Sequence, residues 1–334
     1  MATILEVAKE AGVSVATVSR VLNGSGGVRP KTAEAVNRAV KALKYVPNVS
    51  ARNLRRNESR VILVLARSFT NTYYAHVLSG INEVMGAAGY QVFMCKNDGE
   101  VRQTLQYFKM LENHQADGAI LLNCTMEDVW LHTYAGRYPI VQCCEYVAEF
   151  DTPKVTIDHE KDGYEATQYL ISLGHRRILF MGAENKHGST LKRYAGYYRA
   201  MREAELDTIW EVKADGDYTF ERGRECIHDI LKLGKEERPT AVFCVSDVLA
   251  RSVILEASEQ GIKVPEELSV VGCDDLDYTT VCHPFLTTIH IPCDELGKQS
   301  AGLLLRYMQT LPEKEEDIYL ETHLEIRESC APLE

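Results

Sequence analysis

Ser246, Asp274 and His290 are of the types that make a hydrolytic set, in which a histidine takes the serine proton and a carboxylate orients the histidine. In this 334-residue chain no serine lies in a Gly-x-Ser-x-Gly elbow and no His-Glu-x-x-His string occurs. Spacing therefore pairs no nucleophile with a base. His159, His175 and His187 stand at no metal-ligand spacing from a carboxylate or thiol. The ten cysteines are scattered, with no Cys-x-x-Cys, and most sit in apolar strings such as "TAVFCVS" and "SVVGC", where a thiol acts as a small buried hydrophobe. Cys143 and Cys144 are adjacent, and neighbours on a strand point to opposite faces, which argues against a metal clip there. No catalysis, metal or cofactor is expected.

A second set of residues is suited to recognition. Tyr73 and Tyr74 follow the strand-like "RVILVLAR", Arg193 lies in "GAENKHGSTLKR", and Asp274 and Asp275 close "SVVGCDD". Each falls beyond the carboxyl end of a predicted strand, where open parallel sheets bind ligands. Aromatic faces with a guanidinium donor and carboxylate acceptors suit a small polar ligand such as a sugar or nucleoside. Asp247 precedes the helical "VLARSVI" and is expected to cap it.

Strand and helix patterns alternate from residue 61 to "PIVQCCEY", and the same rhythm restarts after "TPKVTIDHE". Two such runs predict two parallel sheets covered by helices, hence two lobes with a cleft between them. In the second run "STLKRYAGYYRAMREAEL" and "ERGRECIHDILKLG" read as successive helices. "FLTTIHI" and "CDELGKQSAGLLLRYM" come late enough for the chain to cross back into the first lobe.

The amino-terminal head differs in charge. Residues 1–60 hold 11 Lys plus Arg against 4 Glu and no Asp, while the remainder holds 26 basic and 44 acidic residues. Only the head suits a polyanion. Thr3 and Glu6 form a capping box, Gly12 stops the first helix and Ser14 caps a second, so the pattern is a helix-turn-helix; Pro30 opens a third helix. On the second helix Arg20 can reach guanine edges or phosphate, Val15 and Ala16 allow close approach to bases, and Thr17 and Ser19 can bond phosphate. In "SARNLRR", Leu54 could wedge into a minor groove with Arg52, Arg55 and Arg56 as phosphate clamps. No apolar run approaches a membrane span and no secretory signal opens the chain, so no membrane partner and a cytoplasmic location are expected.

The strings "ILEVAKEAGVSVATVSRVLNG", "VRPKT", "ALKYVPN", "ARNLRR", "SLGHRRILFMG", "RYAGYYRAM", "VVGCDDLD" and "LTTIHIP" together resemble the LacI/GalR family of transcriptional regulators over essentially the full length. The resemblance implies an α/β fold with an N-terminal helix-turn-helix head, a hinge helix, and a two-lobed periplasmic-binding-protein-like core of parallel sheets. It implies a head over 1–49, a hinge over 50–60, one lobe from 61–158 with about 291–320, and the other from 159–290 with about 321–334. The implied protein is a homodimer reading a pseudo-palindromic double-stranded DNA operator, most simply a repressor, allosterically controlled by a small-molecule effector. Val15, Ala16 and Arg20 would read bases, with Thr17 and Ser19 at the backbone, while Arg52, Leu54 and Arg55 would act at the hinge. Tyr73, Tyr74, Arg193, Tyr218, Ser246 and Asp274 would contact the effector, Tyr218 as the opposite aromatic wall. A sugar or sugar derivative is favoured, a nucleoside next; "IVQCCEYVAEFDTPKVTIDH" resembles the cytidine-sensing branch. The competing reading is a cytoplasmic solute-binding or enzymatic α/β protein with a basic interaction head.

Overall fold

The computed structural model describes residues 2–24, 26–46, 58–97, 101–124, 129–184, 188–206, 210–215, 218–309 and 317–333. It divides into two compact units, Met1–Ser59 and Arg60–Glu334. Arg52, Leu54 and Arg55, and the hinge helix expected around them, lie outside the described residues.

The first unit contains helices α1 (Ile4–Ala11), α2 (Val15–Leu22) and α3 (Pro30–Ala42). Thr3 N–H donates to Glu6 Oε2 at 2.7 Å and Glu6 N–H to Thr3 Oγ1 at 3.3 Å, so each satisfies an amide that the start of α1 leaves open. Gly12, at φ 64°, then turns the chain in a conformation that would strain a residue with a Cβ. Ser14 Oγ accepts from Thr17 N–H at 3.2 Å, which starts α2. Val7, Ala8, Val18, Val36 and Ala39 form the core, with Val15, Val21 and Leu22 packed against it.

In the second unit, one sheet comprises β1 (Val61–Ala66), β2 (Gln91–Lys96), β3 (Gly118–Leu121), β4 (Ile140–Cys143), β5 (Lys154–Ile157) and β11 (Asp317–Leu320). Its order is β11-β5-β4-β3-β1-β2 and every pairing is parallel. Helices α4 (Thr72–Ala87), α5 (Val101–Glu112) and α10 (Cys293–Gln309) accompany it. Strand alternation sends Ile62 and Val64 to a core shared with Val77, Ile81 and Leu304, and Leu63 and Leu65 to a second core with Phe108 and Leu111. A strand buried on both faces reads as a continuous apolar run, as "VILVLA" does.

The other sheet comprises β6 (Ile178–Glu184), β7 (Trp210–Asp215), β8 (Ala241–Cys244), β9 (Ser269–Asp274), β10 (Thr287–His290) and β12 (His323–Glu325), in the order β12-β10-β9-β8-β6-β7. Only β12 runs antiparallel, against β10. Helices α6 (His159–Ser172), α7 (Gly188–Glu203), α8 (Phe220–Leu231) and α9 (Asp247–Glu259) accompany it. Two expectations are corrected. "FLTTIHI" stays in this second sheet as β10, and only α10 crosses back to pack on α4, β3 and β4. The two helices read as successive are separated by β7, an edge strand whose polar alternate residues hide its period.

In each sheet's helical layer one pair of helices meets backbone to backbone through glycines. A Cβ on Gly163 of α6 would stand 2.1 Å from the Arg193 carbonyl oxygen, and one on Gly196 of α7 would stand 2.1 Å from that of Glu160. Gly80 of α4 and Gly297 of α10 do the same, against Asp294 and Val77 at 2.0 Å each.

Candidate functional site

Tyr73, Tyr74, Arg193, Tyr218 and Asp274 line one inner cavity of ≈ 40 Å³. Asn71, Tyr74 and Tyr218 also line an adjoining chamber of ≈ 420 Å³, with Arg67, Phe220 and Tyr278. The inner volume is about the room of one water, so a larger ligand needs the walls to part. A further groove of ≈ 460 Å³ lies between α8 and α9, but its Arg224, His228 and Glu256 are paired with one another at 2.5–2.9 Å. Its polar groups are satisfied, and it offers a ligand less than the cavity does.

Local structure explains each position. Asn71 caps α4, its Oδ1 accepting from Tyr73 N–H at 3.0 Å, which fixes the two tyrosines on the first turn. Their rings meet edge to face, with centroids 5.4 Å apart. Burial, then the neighbouring Cys144 and Cys293 thiols, push the Tyr73 phenol well above its ordinary range. Arg193 is buried on α7, and its Nη1 donates to the Val245 carbonyl at 3.0 Å. Burial opposes its charge, yet Cys273, Asp274 and Asp162 raise its pKa overall. Asp274 ends β9 at φ 126°, a backbone region that costs a non-glycine residue. Burial and then Asp247 raise its pKa well above the carboxylate range, against the pull of Arg193. Tyr218 OH lies 2.6 Å from Thr190 Oγ1.

Ser246 is placed differently. It caps α9, its Oγ accepting from Leu249 N–H at 3.3 Å, and it is not among the residues lining either chamber. The expectation that Asp247 is the cap is thereby corrected. Asp247 accepts instead from Thr288 Oγ1 at 2.6 Å and Leu276 N–H at 2.9 Å, tying the start of α9 to β10 and to the segment after β9.

Five residues lining the inner cavity are not marked out as contacts by the sequence: Asn71, Cys144, Glu145, His159 and Ser189. Glu145 accepts from the Ser189 amide at 3.1 Å and from its hydroxyl, joining the end of β4 to the start of α7. His159, the first residue of α6, is buried with neither ring nitrogen hydrogen-bonded to a described residue. Burial, followed by Arg193 and Lys192, holds it well below the ordinary imidazole range, so it is neutral, with one donor and one acceptor. Arg193 Nε is also unpartnered. Cys144 lines the cavity because β4 ends at Cys143 and Cys144 turns to φ 67°, which brings the two sulfurs to 3.4 Å. The expectation that these side chains diverge fails because the strand geometry it assumed stops one residue early. Among the described residues no group of three His, Cys, Asp or Glu side chains is arranged to hold a metal ion.

In the head, Ala16 and Arg20 are exposed, and Val15, Thr17 and Ser19 are half-buried. Val15 packs on the small core, Thr17 Oγ1 lies 2.9 Å from Ser14 Oγ, and Ser19 Oγ accepts from Asn23 at 3.2 Å. No helix among the described residues is long and apolar enough to cross a membrane.

A helix-turn-helix head on a two-sheet core with a lined cleft defines the class of DNA-binding regulators built on a periplasmic-binding-protein-like body. Residues 3–48 match the model of the bacterial regulatory proteins, lacI family, and residues 167–330 that of the periplasmic binding protein-like domain. The transcriptional repressor CytR of Escherichia coli K12 is 35% identical over 309 residues, covering 92% of this chain and 90% of that protein. The transcriptional regulator CelR in complex with cellobiose is 28% identical, with a TM-score of 0.73, covering 98% of this chain and 100% of that one. The Lac repressor dimer bound to operator and the anti-inducer ONPF, 24% identical with a TM-score of 0.86 over 99% of both chains, shares the fold. The chain belongs to the lacI family and is a DNA-binding transcriptional regulator; its relatives regulate rather than catalyse.

Proposed function

We propose that the protein is a repressor whose affinity for DNA is set by a small, uncharged, hydroxyl-bearing effector held between the two lobes, with a sugar or sugar derivative favoured. The observation that carries this reading is the cavity lined by three tyrosines together with Arg193 and Asp274, beside unpartnered nitrogens of His159 and Arg193. Hydroxyl groups both donate and accept, and so match such a lining. Held well above the carboxylate range by burial, Asp274 is protonated and can donate as well as accept, which a hydroxyl group matches. Tyr73, Tyr74 and Tyr218 are the contacts assigned to the flat face of the ligand, and these three rings favour a nucleoside as the second reading. Ser246 acts at the cleft only through the helix that it caps.

The head reads a pseudo-palindromic operator as part of a homodimer, with Val15, Ala16 and Arg20 at base edges, Thr17 and Ser19 at the backbone, and Leu54, Arg52 and Arg55 at the hinge. Exposed Phe93 and Met94 on the edge strand β2 support a second copy beside the first lobe. The lobes run over 61–158 with 291–320 and 159–290 with 321–334, around a head of 1–49 and a hinge of 50–60. Effector binding alters how the two hinges order on DNA and so couples the sites. A thermal-shift screen of sugars, polyols, nucleosides and sugar phosphates, followed by operator titration with and without the hit, tests this. A stabilising sugar whose effect is lost in Arg193→Ala and Asp274→Ala is expected. A hit that survives both substitutions, or leaves operator affinity unchanged, overturns the reading.

A further inference from the structure

Cys143 and Cys144 hold their sulfurs 3.4 Å apart at the wall of the cavity, one behind the other. Cys143 is fully buried, and its thiol also points to the Leu296 carbonyl of α10 at 3.9 Å. Cys144 lines the cavity beside Tyr73. Adjacent cysteines in an extended strand would point apart. Here they converge because Cys144 adopts φ 67°, a left-handed conformation that disfavours a side chain. A strained residue at a ligand wall, with its sulfur beside a second sulfur, is a placement that packing alone does not demand.

We propose that Cys143 and Cys144 are a redox-switchable dithiol in the cleft wall, which a small peroxide entering the cavity closes to a vicinal disulfide. The oxidant must be small, because the space beside Cys144 is about that of one water. In the first step the Cys144 sulfur attacks one peroxide oxygen, the O–O bond breaks, and Cys144 becomes a sulfenic acid as one water leaves. In the second step the Cys143 sulfur attacks the sulfenic sulfur; the S–S bond forms and the S–O bond breaks. The displaced hydroxide takes the Cys143 proton and leaves as a second water. Two thiols lose two electrons and the peroxide gains them. Burial holds the Cys144 thiol well above its ordinary range, so little of it is thiolate and closure is slow. The disulfide consumes the Cys143 thiol proton directed at Leu296 and changes the sulfur beside Tyr73. It therefore acts on α4 and α10 together.

The test uses the full chain and requires no effector, so it stands apart from the ligand reading. Trypsin releases Tyr138–Lys154 as one peptide, "YPIVQCCEYVAEFDTPK", which contains both cysteines and no third. Hydrogen peroxide treatment followed by alkylation is expected to yield this peptide unalkylated and lighter by two hydrogen atoms, and dithiothreitol should restore both alkylation sites. Cys143→Ser should instead leave a sulfenic acid on Cys144 that dimedone traps when the oxidised protein is unfolded in its presence, and Cys144→Ser should leave Cys143 reduced. The exposed Cys282 is the internal gauge that the oxidant acted. The proposal is overturned if Cys282 is oxidised while both thiols of the peptide remain alkylated, or if Cys144 is recovered linked to Cys293.

Discussion

The backbone contact between α6 and α7 makes a strong demand on one residue, Gly163. Gly163→Ala would place a methyl group 2.1 Å from the Arg193 carbonyl oxygen and 2.8 Å from its Cα. Ordinary carbon-to-oxygen contact begins near ~3.3 Å, so the helices must separate by roughly 1 Å. Overpacking of this kind costs about 1–3 kcal/mol, which in a body of this size lowers Tm by roughly 2–4 °C for each kcal/mol. The same displacement carries Arg193 away from Val245, stretching a 3.0 Å hydrogen bond beyond reach. Stability and ligand response should therefore fall together, although Gly163 lines neither chamber. Gly86→Ala is the control, because a Cβ there meets nothing within 4 Å and the residue lies within α4. It should stabilise by up to about 1 kcal/mol. Differential scanning fluorimetry of the two variants, with and without the effector, decides the matter. A Gly163→Ala protein that melts at or above the wild-type temperature would refute the reasoning, and so would one that melts lower with its ligand-induced shift intact.

Three further outcomes are expected. Ser246→Ala removes the cap of α9 and should cost about 1 kcal/mol while preserving the ligand-induced shift, whereas a direct contact would lose that shift. Burial pushes Asp247 up to about 7, against hydrogen bonds from Thr288 and Leu276. Its contribution is therefore present below the ordinary carboxylate range and lost as pH rises through about 7, so melting curves should show the wild-type advantage over Asp247→Asn shrinking from pH ~4 to ~8; a growing advantage would contradict the sign. Arg20→Ala should weaken operator binding by about 1–3 kcal/mol and relax preference at one base pair if Arg20 reads a base, or flatten the salt dependence if it holds phosphate; unchanged binding in a salt-series titration would remove Arg20 from the interface.

The sequence reading of the head rested on local signals, and local physics decides those elements. Thr3, Glu6, Gly12, Ser14 and Pro30 act within one helical turn of where they stand, and each appears at its expected helix end. Strands such as β1 were legible because burial on both faces leaves an unbroken apolar run. β7 was not, because at a sheet edge the charges of Glu211 and Lys213 are tolerated and break the run. In the cleft, Tyr73, Arg193 and Asp274 were legible from their place after strands. His159 was not: its neighbours in the cavity wall, Arg193 and Cys144, are distant or unremarkable in sequence, and only burial makes an imidazole with no hydrogen-bond partner among the described residues conspicuous. Ser246 takes the capping role expected of Asp247 because a one-residue difference in where α9 begins decides which side chain meets its first amides.

Two neighbouring strands complete both sheets, β11 at the edge of one and β12 at the edge of the other, with only Glu321 and Thr322 between them. Neither lobe is thus a continuous stretch of polypeptide, and neither can be finished before residues 317–325 have left the ribosome. A nascent chain halted at Pro292 has no α10 to cover Val77 and Ile81, and the outer edges of β5 and β10 lack their partners. The two halves of the cleft therefore acquire their final edges almost simultaneously, once residues 317–325 emerge, while the small amino-terminal head has its own core in hand long before.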